Sequence, residues 1–321
     1  MNEADRIYVA GHSGLAGSAI CRRLTARGYG NIVTRSRADL DLRQQAAVET
    51  FFREQRPQVV FLAAARVGGI HANDTYAADF IRDNLLIQTH VIDSAQRHGT
   101  RRFVFLGSSC AYPRLAPQPI HEEHLLSGPL EPTNEWYAIA KIAGIQTCRA
   151  FARQYGFNVI CLMPSNLYGP NDSFDLENAH VLPALMRRYH EAKLGLTSEV
   201  VLWGSGRPRR EFLHVDDLAE AAVFLAEHES VDGLINVGVG SDVTIAELAA
   251  LIRRTVGYTG PERFDPTRPD GTPQKLLDTS RLTALGWRPR IGLEAGLRQT
   301  YQWYLGHRQQ ARGQQRAHDG G

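Results

Sequence analysis

The chain has 321 residues, of which 43% are hydrophobic and 22% are charged, and its formal net charge is +2. Charges of both signs are mixed along the sequence, which argues against a protein that binds nucleic acid or a membrane surface. The length suits one large α/β domain with a smaller partner domain rather than a single simple core.

The N-terminal segment lacks the basic start and apolar core of a signal peptide, and no apolar run approaches the length of a membrane span. The cysteines are scattered and form no CxxC pair, which favours a reducing compartment and argues against a disulfide framework or a zinc site. We therefore expect a cytoplasmic protein with no bound metal. The four cysteines are Cys21, Cys110, Cys148 and Cys161.

Strands and helices alternate along the first part of the chain. Apolar residues at helical spacing, glycine stops and short apolar runs distinguish the two kinds of element. The sequence predicts a strand, turn and helix over 6–28, a strand over 31–37, a helix over 46–57, a strand over 58–65, a helix over 79–99, a strand over 102–109, a helix over 134–156 and a strand over 158–170.

The predicted strands are continuous apolar runs, as expected of a parallel sheet that is covered by helices on both faces. We predict an α/β fold of the Rossmann type, with a doubly wound parallel sheet over residues 1–170. From 171 to 305 short strands mix with helices and Pro/Gly-rich loops, which indicates a smaller mixed α/β substrate-binding domain interleaved with the last elements of the sheet. Residues 306–321 are polar and are expected to form a flexible tail.

A glycine-rich loop joins the first strand to the first helix. Gly11, Gly14 and Gly17 permit a tight turn and let backbone N–H groups approach a pyrophosphate at the helix N-terminus. Three glycines can also make an ordinary tight loop, but the βαβ context favours a dinucleotide site. The predicted cofactor contacts in this loop are Gly11, His12, Ser13, Gly14, Leu15, Ala16 and Gly17.

The end of the second strand indicates which dinucleotide binds. An NAD site usually has Asp or Glu there for the ribose diol, whereas this chain has Arg35 and Arg37. Guanidinium groups suit a 2′-phosphate, so we expect at least one of the two to contact it, although both could be solvated loop charges. Asp41 follows and is expected near the adenine. The predicted cofactor is NADP(H).

Tyr137 and Lys141 form a YxxxK pair, whose spacing places both side chains on one face of a helix. An ammonium beside a phenol is expected to lower the tyrosine pKa, so that the phenol can exchange a proton with a carbonyl oxygen while hydride moves at its carbon. Ser108 or Ser109, at the end of the strand before, would donate to the same oxygen. Capping of the strand end is the alternative role for one of these serines.

These motifs resemble the extended short-chain dehydrogenase/reductase superfamily, whose members act mostly on nucleotide sugars. Within it, the stretches "LGSSCAYP", "EPTNEWYAIAKIAGI", "SNLYGP" and "WGSGRPRREFLHVDDLA" are similar to the GDP-L-fucose synthase family, over about residues 6 to 305. The resemblance implies 3,5-epimerisation and NADPH-dependent 4-reduction of GDP-4-keto-6-deoxy-D-mannose, by a homodimer that pairs the helix of Tyr137 with residues 80–97. One position departs from the family, because Ser13 stands where an arginine commonly lies near the 2′-phosphate.

Inversion of C3 and C5 needs a base on one face of the sugar ring and an acid on the other. Cys110, beside the serine pair, is assigned as the base, since a nearby cation can bring a thiol into the working range. The resemblance implies that His180 is the acid, and the assignment could differ between the two carbons. A lone cysteine at a strand end is more often a small buried apolar residue, so this role depends on the resemblance.

The remaining predicted contacts also follow from the resemblance. Guanidinium groups would bind the diphosphate or guanosine end, an indole would pack on base or sugar, and a carboxylate would accept from a hydroxyl. The substrate set is Arg188, Trp203, Arg210 and Asp270, and the cofactor set at the strand ends is Leu106, Gly107, Lys141, Pro164, Asn166, Leu167 and His180.

Four alternatives to this function stay open from the sequence. A 4-epimerase on the same scaffold would not need the thiol–histidine pair. A dehydratase commonly carries acidic residues near the serine, where this chain has Ser109 and Cys110. A GDP-colitose-type enzyme would use the same residues but invert C5 only. A cofactor-binding sensor would typically lack the tyrosine or the lysine, and both are present here.

Overall fold

The computed structural model describes residues 1–267 and 270–313, and side chains as far as residue 307. The strands of the described residues are β1 Ile7–Ala10, β2 Ile32–Val33, β3 Val59–Leu62, β4 Arg102–Leu106, β5 Val159–Pro164, β6 Asn166–Tyr168, β7 Val200–Trp203, β8 Arg209–Arg210, β9 Phe212–His214, β10 Gly233–Val237, β11 Val243–Thr244, β12 Glu262–Asp265 and β13 Gln274–Lys275.

The helices connect these strands and flank the sheets. They are α1 Leu15–Ala26, α2 Gln45–Gln55, α3 Ile70–Thr75, α4 Ala77–Arg97, α5 Glu135–Tyr155, α6 Val181–Lys193, α7 Val215–Glu227, α8 Ile245–Val256, α9 Ser280–Ala284 and α10 Leu293–Gly313. Short 3₁₀ turns span Ser109–Ala111, Glu122–His124 and Pro132–Asn134.

A parallel sheet of six strands forms the centre of the molecule, in the order β2-β1-β3-β4-β5-β10. Every pair in it is parallel, with Ile7 opposite Ile32 on one side of β1 and opposite Val59 on the other. The strand order reverses at β1, and ligands of such sheets bind outside the carboxyl ends of the strands at that point. The prediction of a Rossmann-type doubly wound sheet is confirmed.

Helices cover both faces of this sheet, and each face has its own apolar core. On one face Phe52 of α2, Val91 of α4 and Ile145 of α5 pack on the strands. On the other face Ile20 of α1 and Leu218 of α7 do so. Burial on both faces explains why the strands read as unbroken apolar runs rather than alternating patterns.

The later part of the chain builds a smaller region beside the carboxyl edge of the large sheet. It contains three small sheets, in which β12 pairs with β7, β8 lies between β11 and β13, and β6 pairs with β9. A third apolar cluster, which includes Met186 of α6, Ile252 of α8 and Leu297 of α10, holds this region together. Since α7 and β10 return to the large sheet, the two regions interleave; the boundary at residue 170 stays a prediction.

Two predicted elements differ from the structure. The strand expected over 158–170 divides at Ser165: β5 stays in the large sheet, whereas β6 pairs with β9 through Asn166 and Phe212. Pro164 ends β5, since proline has no N–H to continue a ladder. The tail expected from residue 306 is described as part of α10 as far as Gly313, and 314–321 lie outside the described residues.

Candidate active site

The glycine loop follows β1 at the point where the strand order reverses. Gly11 has φ of +82°, and a Cβ there would lie 2.7 Å from the Cα of Ala64, which follows β3. A Cβ on Gly17 would lie 2.6 Å from the carbonyl carbon of Gly11. Both positions therefore require glycine, the first for its conformation and both for the close approach of backbone.

The N-terminus of α1 opens at this loop. Its N-cap is Gly14, no side chain caps it, and the first turn carries no acidic residue. Ser13 and Gly14 are exposed, Leu15 and Ala16 are half-buried, and Nδ1 of His12 is buried without a partner among the described residues. A helix N-terminus with unsatisfied N–H groups and no nearby carboxylate fits the pyrophosphate of a dinucleotide.

The residues after β2 are exposed, as the cofactor prediction requires. Arg35 donates to the carbonyl of Thr34 at 2.8 Å and lies over the ring of Phe51, and Arg37 is exposed. Asp41 is already occupied: Arg43 Nε and Nη2 donate to it at 3.0 and 2.7 Å. This hydrogen bonding lowers the pKa of Asp41 to about 2, and Arg43 is a neighbour that the sequence analysis missed.

The YxxxK pair lies in the first two turns of α5. Nζ of Lys141 is 5.8 Å from the ring centre of Tyr137 and donates to the carbonyl of Leu106, at the end of β4, at 2.7 Å. Burial lowers the pKa of Lys141 to about 8. At neutral pH most of the lysine is therefore still protonated, although its pKa lies only slightly above that pH.

The pKa of Tyr137 changes in the direction opposite to the expectation. Burial raises it, the nearby Cys110 sulphur adds to the increase, and a hydrogen bond with Ser108 opposes it. The expectation that Lys141 would lower the pKa is wrong for this state, because the loss of water around the phenol outweighs the distant charge. Tyr137 is therefore a protonated phenol, which is the form that can donate to a carbonyl oxygen.

Ser108 serves two neighbours. It caps the 3₁₀ turn that follows β4, where the N–H of Cys110 donates to its Oγ at 3.2 Å. It also forms a hydrogen bond with Tyr137, whereas Ser109 is buried. The capping role that the sequence analysis allowed for one serine therefore coexists in Ser108 with a place beside the phenol.

Cys110 has a partner that the sequence analysis missed. Nζ of Lys275, on β13, donates to its Sγ at 3.7 Å. One sequence signal could have found this residue: only three of the 36 Lys and Arg residues are lysines, namely Lys141, Lys193 and Lys275. Two of the three lie at the candidate site, in a chain that otherwise uses arginine.

His180 is the N-cap residue of α6. Burial and the charge of Lys275 lower its pKa, so the neutral imidazole prevails at neutral pH. The residue is exposed, so a ligand can reach the imidazole. Lys275 therefore adjoins both residues assigned to carbon inversion.

Arg188 and Trp203 form one unit. The guanidinium carbon lies 4.5 Å from the centre of the indole, and Arg188 donates to the carbonyls of Val201 and Leu176 at 3.1 and 3.3 Å. Trp203 is exposed at the end of β7. An exposed indole backed by a guanidinium is a surface on which a flat base can stack.

Asp270 lies beside Ser205, two residues after Trp203, and Arg210 lies on β8. Burial lowers the pKa of Arg210, and the titratable groups of Cys110, Glu131 and Asp270 are near enough to oppose this decrease. The Asp270 carboxylate accepts from the N–H and the hydroxyl of Ser205 at 2.7 and 2.8 Å. The structure thus places Arg210 closer to the reacting end of the site than the sequence analysis expected.

The other predicted cofactor contacts lie at the strand ends. The N–H of Gly107 donates to Leu162 at 2.8 Å, and a Cβ there would lie 2.6 Å from the sulphur of Met163. Asn166 Nδ2 donates to the carbonyl of Glu211 at 2.8 Å, and Pro164 ends β5. Leu167 packs into the apolar core, so only its backbone could face a ligand.

Three further observations concern the part of the chain that the structure describes. No group of three or more His, Cys, Asp or Glu side chains there could hold a metal ion. None of the helices there has both the length and the apolar character needed to span a bilayer. All four cysteines are free thiols.

Known proteins are similar to this chain over most of its length. Residues 7–238 match the NAD dependent epimerase/dehydratase family. The chain belongs to the NAD dependent epimerase/dehydratase family. Its relatives include GDP-L-fucose synthase 1 of Arabidopsis thaliana, 59% identical over 95% of this chain and 94% of the relative, and GDP-L-fucose synthase of Escherichia coli, 52% identical over 96% and 99%.

A solved structure of a family relative adds the cofactor. A GDP-L-fucose synthetase from Naegleria fowleri bound to NADP superimposes with a TM-score of 0.88 at 28% identity, covering 97% of each chain. The predicted similarity to GDP-L-fucose synthases within the epimerase/dehydratase family, and the prediction of a nicotinamide-dependent oxidoreductase, are confirmed. The prediction that the chain uses a nicotinamide dinucleotide is likewise supported.

Proposed function

We propose that this chain epimerises C3 and C5 of GDP-4-keto-6-deoxy-D-mannose and then reduces C4, with NADPH, to give GDP-L-fucose. The observation that carries the proposal is that one site holds the parts of both reactions. Tyr137, Ser108 and Lys141 form a group suited to a ketone, and Cys110 lies beside them with Lys275 at 3.7 Å and His180 as the next neighbour of that lysine.

Inversion begins at the carbons next to the C4 ketone, whose protons the ketone acidifies. One member of the Cys110–His180 pair takes the C–H proton, and the bonding electrons move to O4, where the Tyr137 and Ser108 hydroxyls stabilise the enolate. The other member returns a proton to the opposite face. The pair must carry one transferable proton in total. Cys110 is the base when His180 is protonated, and neutral His180 is the base when Cys110 is a thiol, so either residue can be the donor at a given carbon.

Reduction follows at C4. NADPH supplies the hydride when it is bound. Tyr137 donates its phenolic proton to O4, and the Lys141 ammonium stabilises the phenolate that is left. Because the pKa of Tyr137 is raised by burial, the proton needed for this step is in place before the substrate arrives.

The cofactor preference for NADP(H) over NAD(H) is part of the proposal. The residues that fit the dinucleotide are the glycine loop with the uncapped α1 N-terminus and, for the 2′-phosphate, Arg35 and Arg37. No Asp or Glu follows β2 directly, and Asp41 is held by Arg43. Since Ser13 offers no charge, we expect the preference to depend on Arg37 and Arg35.

The substrate would lie along the residues that the resemblance to GDP-L-fucose synthases implies. Trp203 and Arg188 offer a stacking surface for guanine at one end, and Arg210 suits the diphosphate or the sugar beside Cys110. The Asp270 carboxylate binds the N–H of Ser205, which lies two residues after Trp203.

We also propose that the enzyme works as a homodimer in the cytoplasm. The exposed apolar side chains Leu86 of α4 and Trp136 of α5 support pairing through these two helices, as a four-helix bundle. Four free thiols favour a reducing compartment. Light scattering of the purified protein tests the first statement, and fractionation of the source cells tests the second; a monomer at working concentration would contradict the dimer.

The deciding experiment supplies the keto-sugar and NADPH in D₂O and analyses the product by NMR. We expect deuterium at C3 and C5 and the cofactor's hydrogen at C4, with no deuterium at C3 or C5 for Cys110→Ala. Deuterium at C5 alone would favour the colitose-type alternative. An absence of NADPH consumption with any keto-sugar would indicate a sensor and overturn the proposal.

A further inference from the structure

Lys275 occupies a position at the site for which the proposed reaction has so far given it no role. Its ammonium donates to Cys110 Sγ at 3.7 Å, across 165 residues of sequence. In the described part of the chain no carboxylate lies within salt-bridge distance of it, unlike arginines such as Arg22 and Arg263. The one group it is shown to bind is the sulphur.

The groups around the sulphur come from several elements. Lys275 faces it from β13, Arg210 from β8 and Tyr137 from α5. His180, at the start of α6, adjoins Lys275, and the carboxylates of Glu131 and Asp270 lie beside Arg210. Two cations thus adjoin the sulphur, and the carboxylates lie next to the second of them.

The segment that carries Lys275 is fixed from both sides. Lys275 pairs with Arg210 on β8, and the carbonyl of Leu276 accepts from Ile120 N–H at 2.7 Å. The buried Glu211 carboxylate accepts from Leu277 N–H at 2.9 Å with one oxygen and from Val239 and Gly240 N–H at 2.6 and 2.8 Å with the other. The lysine is therefore held at the thiol by backbone that cannot shift easily, rather than by a mobile loop.

The residue type supports a chemical role. This chain has 33 arginines and three lysines. Lys193 donates to the carbonyl of Val256 at 2.7 Å, close to the end of α8, and so has a structural contact. The other two lysines adjoin Tyr137 and Cys110. A lysine ammonium is a compact point charge that can direct a single hydrogen bond at one atom, which a planar guanidinium fork does less well.

We propose that Lys275 is a further positioning residue of the epimerase half-reaction, which donates to the Cys110 sulphur and stabilises the negative charge on it whenever the thiol has given up its proton. This inference rests on the proposed function, because Lys275 would assist the Cys110 thiol, which takes part in the proposed inversion. A hydrogen bond from an ammonium stabilises the negative sulphur that must accept a carbon-bound proton. Hydride transfer uses Tyr137 and Lys141, so it should depend on Lys275 much less.

The two half-reactions can be measured separately. Wash-in of deuterium at C3 and C5 of the keto-sugar, with NADP⁺ in place of NADPH, reports proton exchange alone. Oxidation of GDP-L-fucose by NADP⁺, followed as NADPH fluorescence, reports hydride transfer alone, since it needs no inversion. For Lys275→Met we expect exchange to fall by about tenfold or more, as for the loss of a charge-assisted hydrogen bond. We expect the oxidation rate to fall by less than about threefold.

A third measurement follows the reactivity of the Cys110 sulphur. Peptide mapping after brief treatment with iodoacetamide at neutral pH should show Cys110 alkylated about tenfold more slowly in Lys275→Met. Lys275→Arg should restore part of both exchange and alkylation, because it restores the charge. Lys193→Met is the matched control, and it should leave exchange and alkylation of Cys110 unchanged.

The outcomes separate the inference from the function on which it rests. Equal loss of exchange and hydride transfer in folded Lys275→Met, or unchanged exchange, would overturn the inference, and Lys275→Gln replaces it if the methionine variant fails to fold. A wild-type enzyme that neither exchanges deuterium nor oxidises GDP-L-fucose would instead contradict the proposed function.

Discussion

The ammonium of Lys141 donates to the backbone carbonyl of Leu106 at 2.7 Å, so the end of β4 fixes the lysine beneath the ring of Tyr137. The same burial that allows this contact lowers the pKa of Lys141 to about 8. The charge that supports the phenolate is therefore lost as pH rises through about 8. We expect the rate of GDP-L-fucose oxidation by NADP⁺ to fall as pH rises through that value. In Lys141→Arg the fall should move to higher pH. A profile that is flat from pH 7 to 10 would contradict this assignment.

Tyr137 should matter most for hydride transfer. Tyr137→Phe removes the proton donor but keeps the ring, so we expect keto-sugar reduction to fall by about 10²- to 10⁴-fold. Tyr155→Phe, on the same helix with its side chain about half exposed, is the control and should keep wild-type activity. NADPH consumption under saturating substrate measures both. Equal rates for Tyr137→Phe and the wild type would show that another group protonates O4.

The preference for NADP should depend on the arginines that follow β2. Arg37→Ala removes an exposed guanidinium, so we expect the KM for NADPH to rise by about tenfold, as for one charge-assisted hydrogen bond, while the KM for NADH stays unchanged. Arg53→Ala is the control, because Arg53 lies on α2 and bonds to Thr50. A similar rise for both cofactors would show that Arg37 affects the fold of the loop and not phosphate binding.

Gly11 and Gly28 provide a matched pair for the cofactor cradle. Both have positive φ, +82° and +88°, but a Cβ on Gly11 meets Ala64 at 2.7 Å whereas a Cβ on Gly28 meets nothing within 4 Å. Alanine at Gly28 should cost about 1 kcal/mol of folding free energy through backbone strain, and alanine at Gly11 should cost more, because its Cβ also meets the backbone of Ala64. Only Gly11→Ala should weaken NADP binding, by about tenfold or more, in calorimetric titration. Equal binding by the two variants would remove the steric argument.

Much of the fold follows from local pattern. Continuous apolar runs identify a parallel sheet because both faces of that sheet are covered, and the glycine loop is recognisable because its turn and its close contacts need residues without Cβ. The chemistry of Ser108, Cys110, Tyr137 and Lys141 is also readable, since these residues lie within two short segments at the end of β4 and the start of α5.

What the sequence did not reveal depends on distant contacts. Lys275 reaches Cys110 across 165 residues, and no local spacing signals such a pairing. The direction of the Tyr137 pKa depends on how completely the folded protein excludes water, which the YxxxK pattern does not encode. The division of the strand at Ser165 likewise depends on β9, which lies more than 40 residues further along the chain.

Asp172 should make folding stability depend on pH. Its carboxyl is buried, Oδ2 has no partner in the described residues, and Oδ1 accepts from Ser173 N–H at 2.8 Å. Burial raises its pKa to about 8, whereas an unfolded chain releases this proton near pH ~3.9. Between those values the folded state binds more protons than the unfolded state, so the free energy of unfolding falls as pH rises.

Asp172→Asn removes this dependence because an amide does not titrate. We expect the variant to match the wild type near pH 4 and to exceed its free energy of unfolding by about 1–2 kcal/mol at pH 8, in urea titrations at both values. The wild type near pH 4 is the internal control, because there Asp172 is protonated in the folded state and about half protonated in the unfolded state, so its ionisation changes the free energy of unfolding little. A constant difference across the pH range would mean that the amide changes packing, and that the buried carboxyl is already ionised in the folded protein.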